Sequence, residues 1–199
     1  VTALRLVGLD LSLTGTGAAA THDHHGNPVL TCRTLTSRWG ADRPHDRIND
    51  ILSGVAAVVK CEPHLVVVEA ASFGSSGNAV DQLAGLRWIT RHWLWSRSIR
   101  YVEVAPATVK VWATGSGATS GENKVTKRRV REEITATYGH LVHVANDDVA
   151  DALSMLSAAC AAYGQPLASV TTPKKTRALG TIKWPTLATE AGPVVPHGH

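Results

Sequence analysis

The stretch NDDVADALSML (146–156) sets three aspartates, Asp147, Asp148 and Asp151, within five residues at the head of an apolar run. Residues three apart on a helix share a face, so Asp148 and Asp151 point the same way. Val149, Ala152, Leu153, Leu156, Cys160 and Tyr163 form a stripe beside them, which predicts a buried helix from Asp148 to Tyr163. Aspartate at a helix start has an ordinary use. It caps free N–H groups, for about 0.5–2 kcal/mol per cap, and it meets the positive end of the helix dipole. Capping accounts for Asp147 and one neighbour. It accounts poorly for Asp151, a turn inside, where like charges at this spacing oppose the helix by a few tenths of a kcal/mol. A bound divalent cation would remove that cost. Spacing alone leaves capping and metal ligation both open.

Two further acids end apolar runs. Asp10 closes LRLVGLD (4–10), and Glu69 follows HLVVV (64–68). Both runs read as buried strands. If the strands are parallel neighbours, their carboxylates emerge at one edge of the sheet, where open α/β sheets place their sites. Asp10, Glu69, Asp148 and Asp151 then make an all-oxygen set suited to Mg²⁺ or Mn²⁺.

The rest of the chain supports an α/β reading. Thr16–Thr21 and Pro28–Leu35 read as strands that complete a meander, with HDHHGN (22–27) as the turn between them. A metal site at His22, Asp23, His24 and His25 is the lesser reading, because Gly26-Asn27 follows directly. Pro44–Cys61 and Ala79 to about Trp95 read as helices, with Ile99–Val104 a strand and Ala105–Ala113 a helix with Pro106 in its first turn. TGSGATSGEN (114–123) is a loop, and Lys124–Tyr138 a basic helix. The helix from Ala79 carries Trp88, Trp93 and Trp95 and is apolar over more than one face. That surplus fits core packing or a subunit interface. The expected fold is a mixed sheet flanked by helices, over residues 1–164. From residue 165 the periodicity stops, and 165–199 reads as an irregular or disordered basic tail.

Composition excludes several classes. No apolar run is long enough to span a membrane, and no signal peptide is visible. Cys32, Cys61 and Cys160 lie far apart, which fits a reduced, cytoplasmic protein rather than a disulfide framework or a zinc site. The net charge is +4, but four basic residues and one acid after residue 164 supply +3 of it. Local clusters must therefore carry any argument for nucleic acid. One such cluster is KVTKRRVREE (124–133), with Lys124, Lys127, Arg128, Arg129 and Arg131. It is either a solvated face with pairs such as Arg128–Glu132, or, with Lys110 and the glycine-rich loop, a surface that closes on a phosphate backbone.

The order GLDLSLTGTG, VVVEAASF, PATVKVWATGSGATSGENKVTKRRV and NDDVADALSM resembles the RuvC-type Holliday junction resolvases of bacteria and phages, over about residues 4–163. That resemblance implies a ribonuclease H-like fold with a mixed five-stranded sheet. It implies a metal-dependent endonuclease that resolves four-way DNA junctions by paired nicks in recombination or repair, and that works as a homodimer. It makes Asp10, Glu69, Asp148 and Asp151 the ligands of two Mg²⁺ ions, which activate water and stabilise the leaving 3′ oxygen. It places Lys110 and Lys124 near the scissile phosphate, with Lys124 in a catalytic role and Lys127 and Arg128 on DNA. The family sets an aromatic just after the glutamate to wedge into the junction, and Phe73 stands four positions on. Asp10 is followed by Leu11-Ser12, where many members have Pro-Gly, and Asp147 adds a carboxylate beside Asp148. Other readings are a same-fold nuclease for flaps or RNA–DNA hybrids, and a catalytically silent junction-binding protein. GLDLSLTGTG also resembles the first phosphate loop of actin-like kinases, but that fold needs two such domains and leaves Asp148 and Asp151 without a use.

Overall fold

Five strands form one sheet because the apolar runs have two faces to bury. The computed structural model describes residues 3–71, 78–121, 124–169, 172–189 and 192–196. β1 (Leu6–Asp10), β2 (Thr16–Ala20) and β3 (Thr31–Leu35) form the antiparallel meander. β4 (Leu65–Glu69) lies parallel to β1, and β5 (Tyr101–Val104) parallel to β4, giving the order β3-β2-β1-β4-β5. Side chains alternate across a strand. Val7, Leu9, Val66 and Val68 therefore face α1 (Pro44–Val58) and α2 (Asn78–Ser96), packing with Ile51, Val55, Leu86 and Leu94. Leu6, Leu65 and Val67 face the other way, into a core with α3 (Pro106–Thr114), α4 (Lys127–Tyr138) and α5 (Asp147–Ala162). This is the mixed five-stranded α/β sheet, flanked by helices, that the sequence predicts.

Two expectations need correction. The basic helix starts at Lys127, three residues later than predicted, because Thr126 caps it by accepting from the Arg129 N–H at 3.2 Å. Lys124 therefore lies in the preceding loop. The segment after residue 164 is not irregular. It forms α6 (Pro173–Leu179) and a hairpin of β6 (Leu187–Thr189) and β7 (Gly192–Val194). Ile182, Trp184 and Leu187 are buried in the main core, and Trp184 stacks edge-on against Tyr163 with ring centroids 6.1 Å apart. Apolar side chains at irregular spacing carry no periodic signal, yet they can still pack. Among the described residues, no helix is long and apolar enough to cross a membrane.

Candidate active site

The parallel register sets Leu9 beside Val68, so Asp10 and Glu69, the residues that follow, end their strands side by side. α5 brings its N-terminus to the same edge. Its cap is Asn146, whose side chain accepts from the Val149 N–H at 2.9 Å and donates to Thr34 Oγ1 at 2.9 Å. An asparagine does the capping, so the three aspartates inside the helix are not needed for it.

Two glycines let the helix lie directly on the sheet. A Cβ on Gly17 of β2 would overlap the Asp148 carbonyl, and one on Gly8 of β1 would overlap the Ala152 carbonyl. Neither glycine has a positive φ. Their value here is the missing side chain. The close approach carries Asp148 and Asp151 over the end of β1, towards Asp10.

The result is a cluster of acidic side chains whose pKa values burial and mutual repulsion raise. Asp10 is 5% exposed. Its pKa is pushed up to about 8, first by burial, then by Glu69 and Asp151. Asp151 is pushed up to about 7 by burial and by Glu69. Burial also raises Glu69, against the opposing pull of Arg87, Lys127 and Lys110. Arg87 on α2 lies 3.6 Å from the Glu69 carboxylate.

Lys127, its side chain largely exposed, reaches the rim of this set. Its ammonium is 3.6 Å from Asp148. Burial alone would lower its pKa, but Asp10, Asp151, Asp148 and Glu69 together raise it. One side chain thus feels all four acids as a cation would. Among the described residues, no group of three or more His, Cys, Asp or Glu side chains stands close enough to hold a metal ion as placed. The donor set nevertheless fits a hard divalent cation. It is all carboxylate, it is buried at a strand end, and it already draws in a positive charge.

The predicted residues divide clearly. Asp10, Glu69, Asp148 and Asp151 lie near enough at this edge for their charges to raise the pKa values of Asp10, Glu69 and Asp151. Asp147 turns aside, 3.3 Å from Arg131 of α4, so Asp148 is the member that faces the cluster. Lys110 acts on Glu69 from α3. Lys124 is exposed in the loop, with no ion pair among the described residues, while Lys127 takes the place at the acids. Arg128 is exposed and pairs with Glu132 at 3.4 Å, as a solvated face does. Phe73 lies outside the described residues. Asp23 accepts from the backbone of His25 and Asn27, and from the Asn27 amide, as a turn requires.

Sequence reasoning missed Arg87, Gly8 and Gly17. It placed Lys127 on DNA and did not foresee its approach to Asp148. The spacing of Lys127 to Val130, a buried residue three positions on, was the available signal, since it fixes which face of the helix meets the core.

No family model matches the chain, and no curated protein sequence matches it. Solved structures do match. A structure of Thermus thermophilus RuvC superposes with a TM-score of 0.58 at 19% identity, over 81% of this chain and 98% of that one. T. thermophilus RuvC in complex with Holliday junction substrate gives a TM-score of 0.55 at 19% identity, over 82% and 98%. In sheet order and flanking helices alike, this chain has the ribonuclease H-like fold of a RuvC structure.

Proposed function

We propose that the chain is a RuvC-type resolvase, a divalent-metal-dependent endonuclease that nicks branched four-way DNA junctions in pairs during recombination or repair. What supports this reading is the placing of Asp10 and Glu69 at adjacent parallel strand ends and their electrostatic coupling to Asp148 and Asp151, with the Lys127 ammonium 3.6 Å from Asp148. A binding module has no use for four clustered carboxylates, because they repel the phosphates of DNA.

The four carboxylates would hold two Mg²⁺ ions, or Mn²⁺. When bound, the ions activate water and stabilise the leaving 3′ oxygen in an in-line displacement. The chain's own residues do the rest. Burial and mutual repulsion raise the pKa values of Asp10 and Asp151, to about 8 and about 7, so arriving positive charge favours their ionised, ligating forms. Arg87 steadies Glu69 from the side of α2. Lys127 keeps a positive charge at the point where a phosphate must come in, and Lys110 adds to it across Glu69. Lys124, Arg128 and Phe73 remain candidates for contacts to DNA away from the reacting phosphate.

Paired nicks need two copies of the site. Trp88 and Trp95 on α2 are each 68% exposed and Ile89 is 43% exposed. That apolar face supports a homodimer. The cytoplasm is the expected place of action.

The test is cleavage of a labelled four-way junction beside linear duplex, a flap and an RNA–DNA hybrid, with Mg²⁺ and with EDTA. Paired, metal-dependent nicks in the junction support the proposal. Cleavage of flap or hybrid alone would keep the metal site and move the substrate. Junction binding without any cleavage would overturn the enzyme.

A further inference from the structure

The C-terminal segment does more than fill the core. It builds the outer wall of a groove that starts beside the acidic site. One part of the groove, about 580 Å³, begins at Ala70, the residue after Glu69, and runs between Thr108 and Thr181 past Lys183. The next part, about 460 Å³, shares Thr108 and Thr181 and continues to Gly115, Gly117, Lys174 and Arg177. One wall is α3 with the glycine-rich loop, and the other is α6 with the turn after it.

The wall is fixed in place. Lys175 turns inward, with its ammonium donating to the Ala113 carbonyl at 3.3 Å and lying 5.9 Å from the Trp112 ring. Tyr163 donates to the Pro185 carbonyl at 2.5 Å, and Arg100 to that of Thr186 at 2.7 Å. One basic residue of the segment is therefore structural. The other three, Lys174, Arg177 and Lys183, are exposed and line the groove. None of them forms an ion pair among the described residues. The acid on this path, Glu103, is already paired with Arg91 at 2.6 Å. Val111, Ala178 and Ile182 line it with apolar surface, and Thr108, Ser116 and Thr181 add hydroxyls to the lining beside glycine backbone. This is the chemistry that grips a phosphodiester chain without reading its sequence.

We propose that the groove is a track for the phosphate backbone of one duplex arm as it leaves the acidic site, with Lys174, Arg177 and Lys183 as its contacts. The inference rests on the nuclease reading and adds a second, electrostatic hold on the substrate, supplied by the C-terminal segment.

The test compares the protein with K174Q/R177Q/K183Q and with a charge-matched control, R33Q/K60Q/R97Q, whose residues are exposed elsewhere. Binding to a four-way junction and to linear duplex is measured in EDTA at a series of salt concentrations. Each lost phosphate contact lowers the slope of log affinity against log salt by about 1, so the groove variant should lose about 3. A loss above about 1 supports the track. A loss no greater than that, or one matched by the control, overturns it. Unfolding curves establish that the variants fold. If the triple variant does not, Arg177→Gln alone should lower the slope by about 1, and an unchanged slope then overturns the track. A protein that binds duplex through the groove yet cleaves nothing in Mg²⁺ would sink the nuclease reading and leave the track standing.

Discussion

The ammonium of Lys127 and the carboxylate of Asp148 lie 3.6 Å apart, across the gap between the first turns of α4 and α5. The contact joins the basic helix to the acidic one at the place where chemistry is expected. Removing the lysine charge should cost far more catalysis than stability. Lys127→Ala should lower single-turnover cleavage by about 10²–10³, the usual loss for one group that stabilises developing charge. Lys124→Ala should lower it much less. Equal losses in the two variants would return Lys124 to the catalytic role that its sequence context suggests.

Asp148 and Asp147 should separate just as sharply. Asp148→Asn removes a carboxylate that faces the cluster. It should abolish metal-dependent cleavage while junction binding in EDTA holds or tightens, since one repulsive charge is gone. Asp147→Asn breaks only the pair with Arg131, and a half-exposed pair of this kind is worth about 0–1 kcal/mol. It should keep most of the cleavage. Gel-shift and cleavage assays on both variants read the difference, and an active Asp148→Asn would remove that residue from the site.

The buried acids make a pH prediction for the metal-free protein. The folded-state pKa values of Asp10 and Asp151 are raised, to about 8 and about 7. The folded state therefore holds protons that the unfolded chain gives up near pH 4. The stability linked to these protons is full below pH 4 and is lost as pH rises towards 8. In EDTA, the Tm should fall between pH 5 and pH 8, and Mg²⁺ should reverse the fall at pH 8. Asp10→Asn cannot ionise. It should raise the metal-free Tm at pH 8 by at least about 2–4 °C, the shift that 1 kcal/mol makes in a domain of this size. A flat Tm across this range would mean that the acids are hydrated and apart.

Two glycine substitutions should have opposite signs. Gly17→Ala drives a methyl group into the Asp148 carbonyl and should cost about 1–3 kcal/mol as overpacking. Cleavage should fall with it, because the carboxylates of α5 move. Gly85 lies within α2 with open space around the added methyl. Gly85→Ala should stabilise the chain by about 0.5–1 kcal/mol. Urea unfolding of the two variants gives both numbers.

The C-terminal segment should behave as core. Trp184 is 7% exposed, and its indole N–H donates to the Leu179 carbonyl at 3.1 Å. Trp184→Ala should destabilise the protein by about 3–5 kcal/mol. A loss below about 1 kcal/mol, the range of surface changes, would mean that the segment is only loosely attached.

What could be read from the chain follows its periodicity. β1 and β4 are continuous apolar runs that each end in an acid, and that pattern alone placed Asp10 and Glu69 at the strand ends. The stripe from Val149 to Cys160 placed α5 and put Asp148 and Asp151 on one face. Lys127 was harder. In KVTKRRV (124–130) the choice between two lysines turns on whether Thr126 caps the helix, and four neighbouring cations hide the cap. Arg87 came from an element whose tryptophans dominate its pattern. The segment from Ile182 to Leu187 holds core residues without a repeat, so burial there is a property of the tertiary fold alone.

Gly8 carries a consequence of a different kind. Its neighbour across the contact is the backbone of Ala152, one residue beyond Asp151 in the chain. A saturation screen scored by loss of cleavage would rank this position with the carboxylates, although it has no side chain to donate, accept or ligate. Scored in parallel for soluble yield, it would part from them, because Asp148→Asn leaves the folded protein in place and a larger residue at Gly8 does not. The aim of the site is thus inherited through backbone spacing, and lineages that drift in side-chain chemistry can be expected to keep this hydrogen atom.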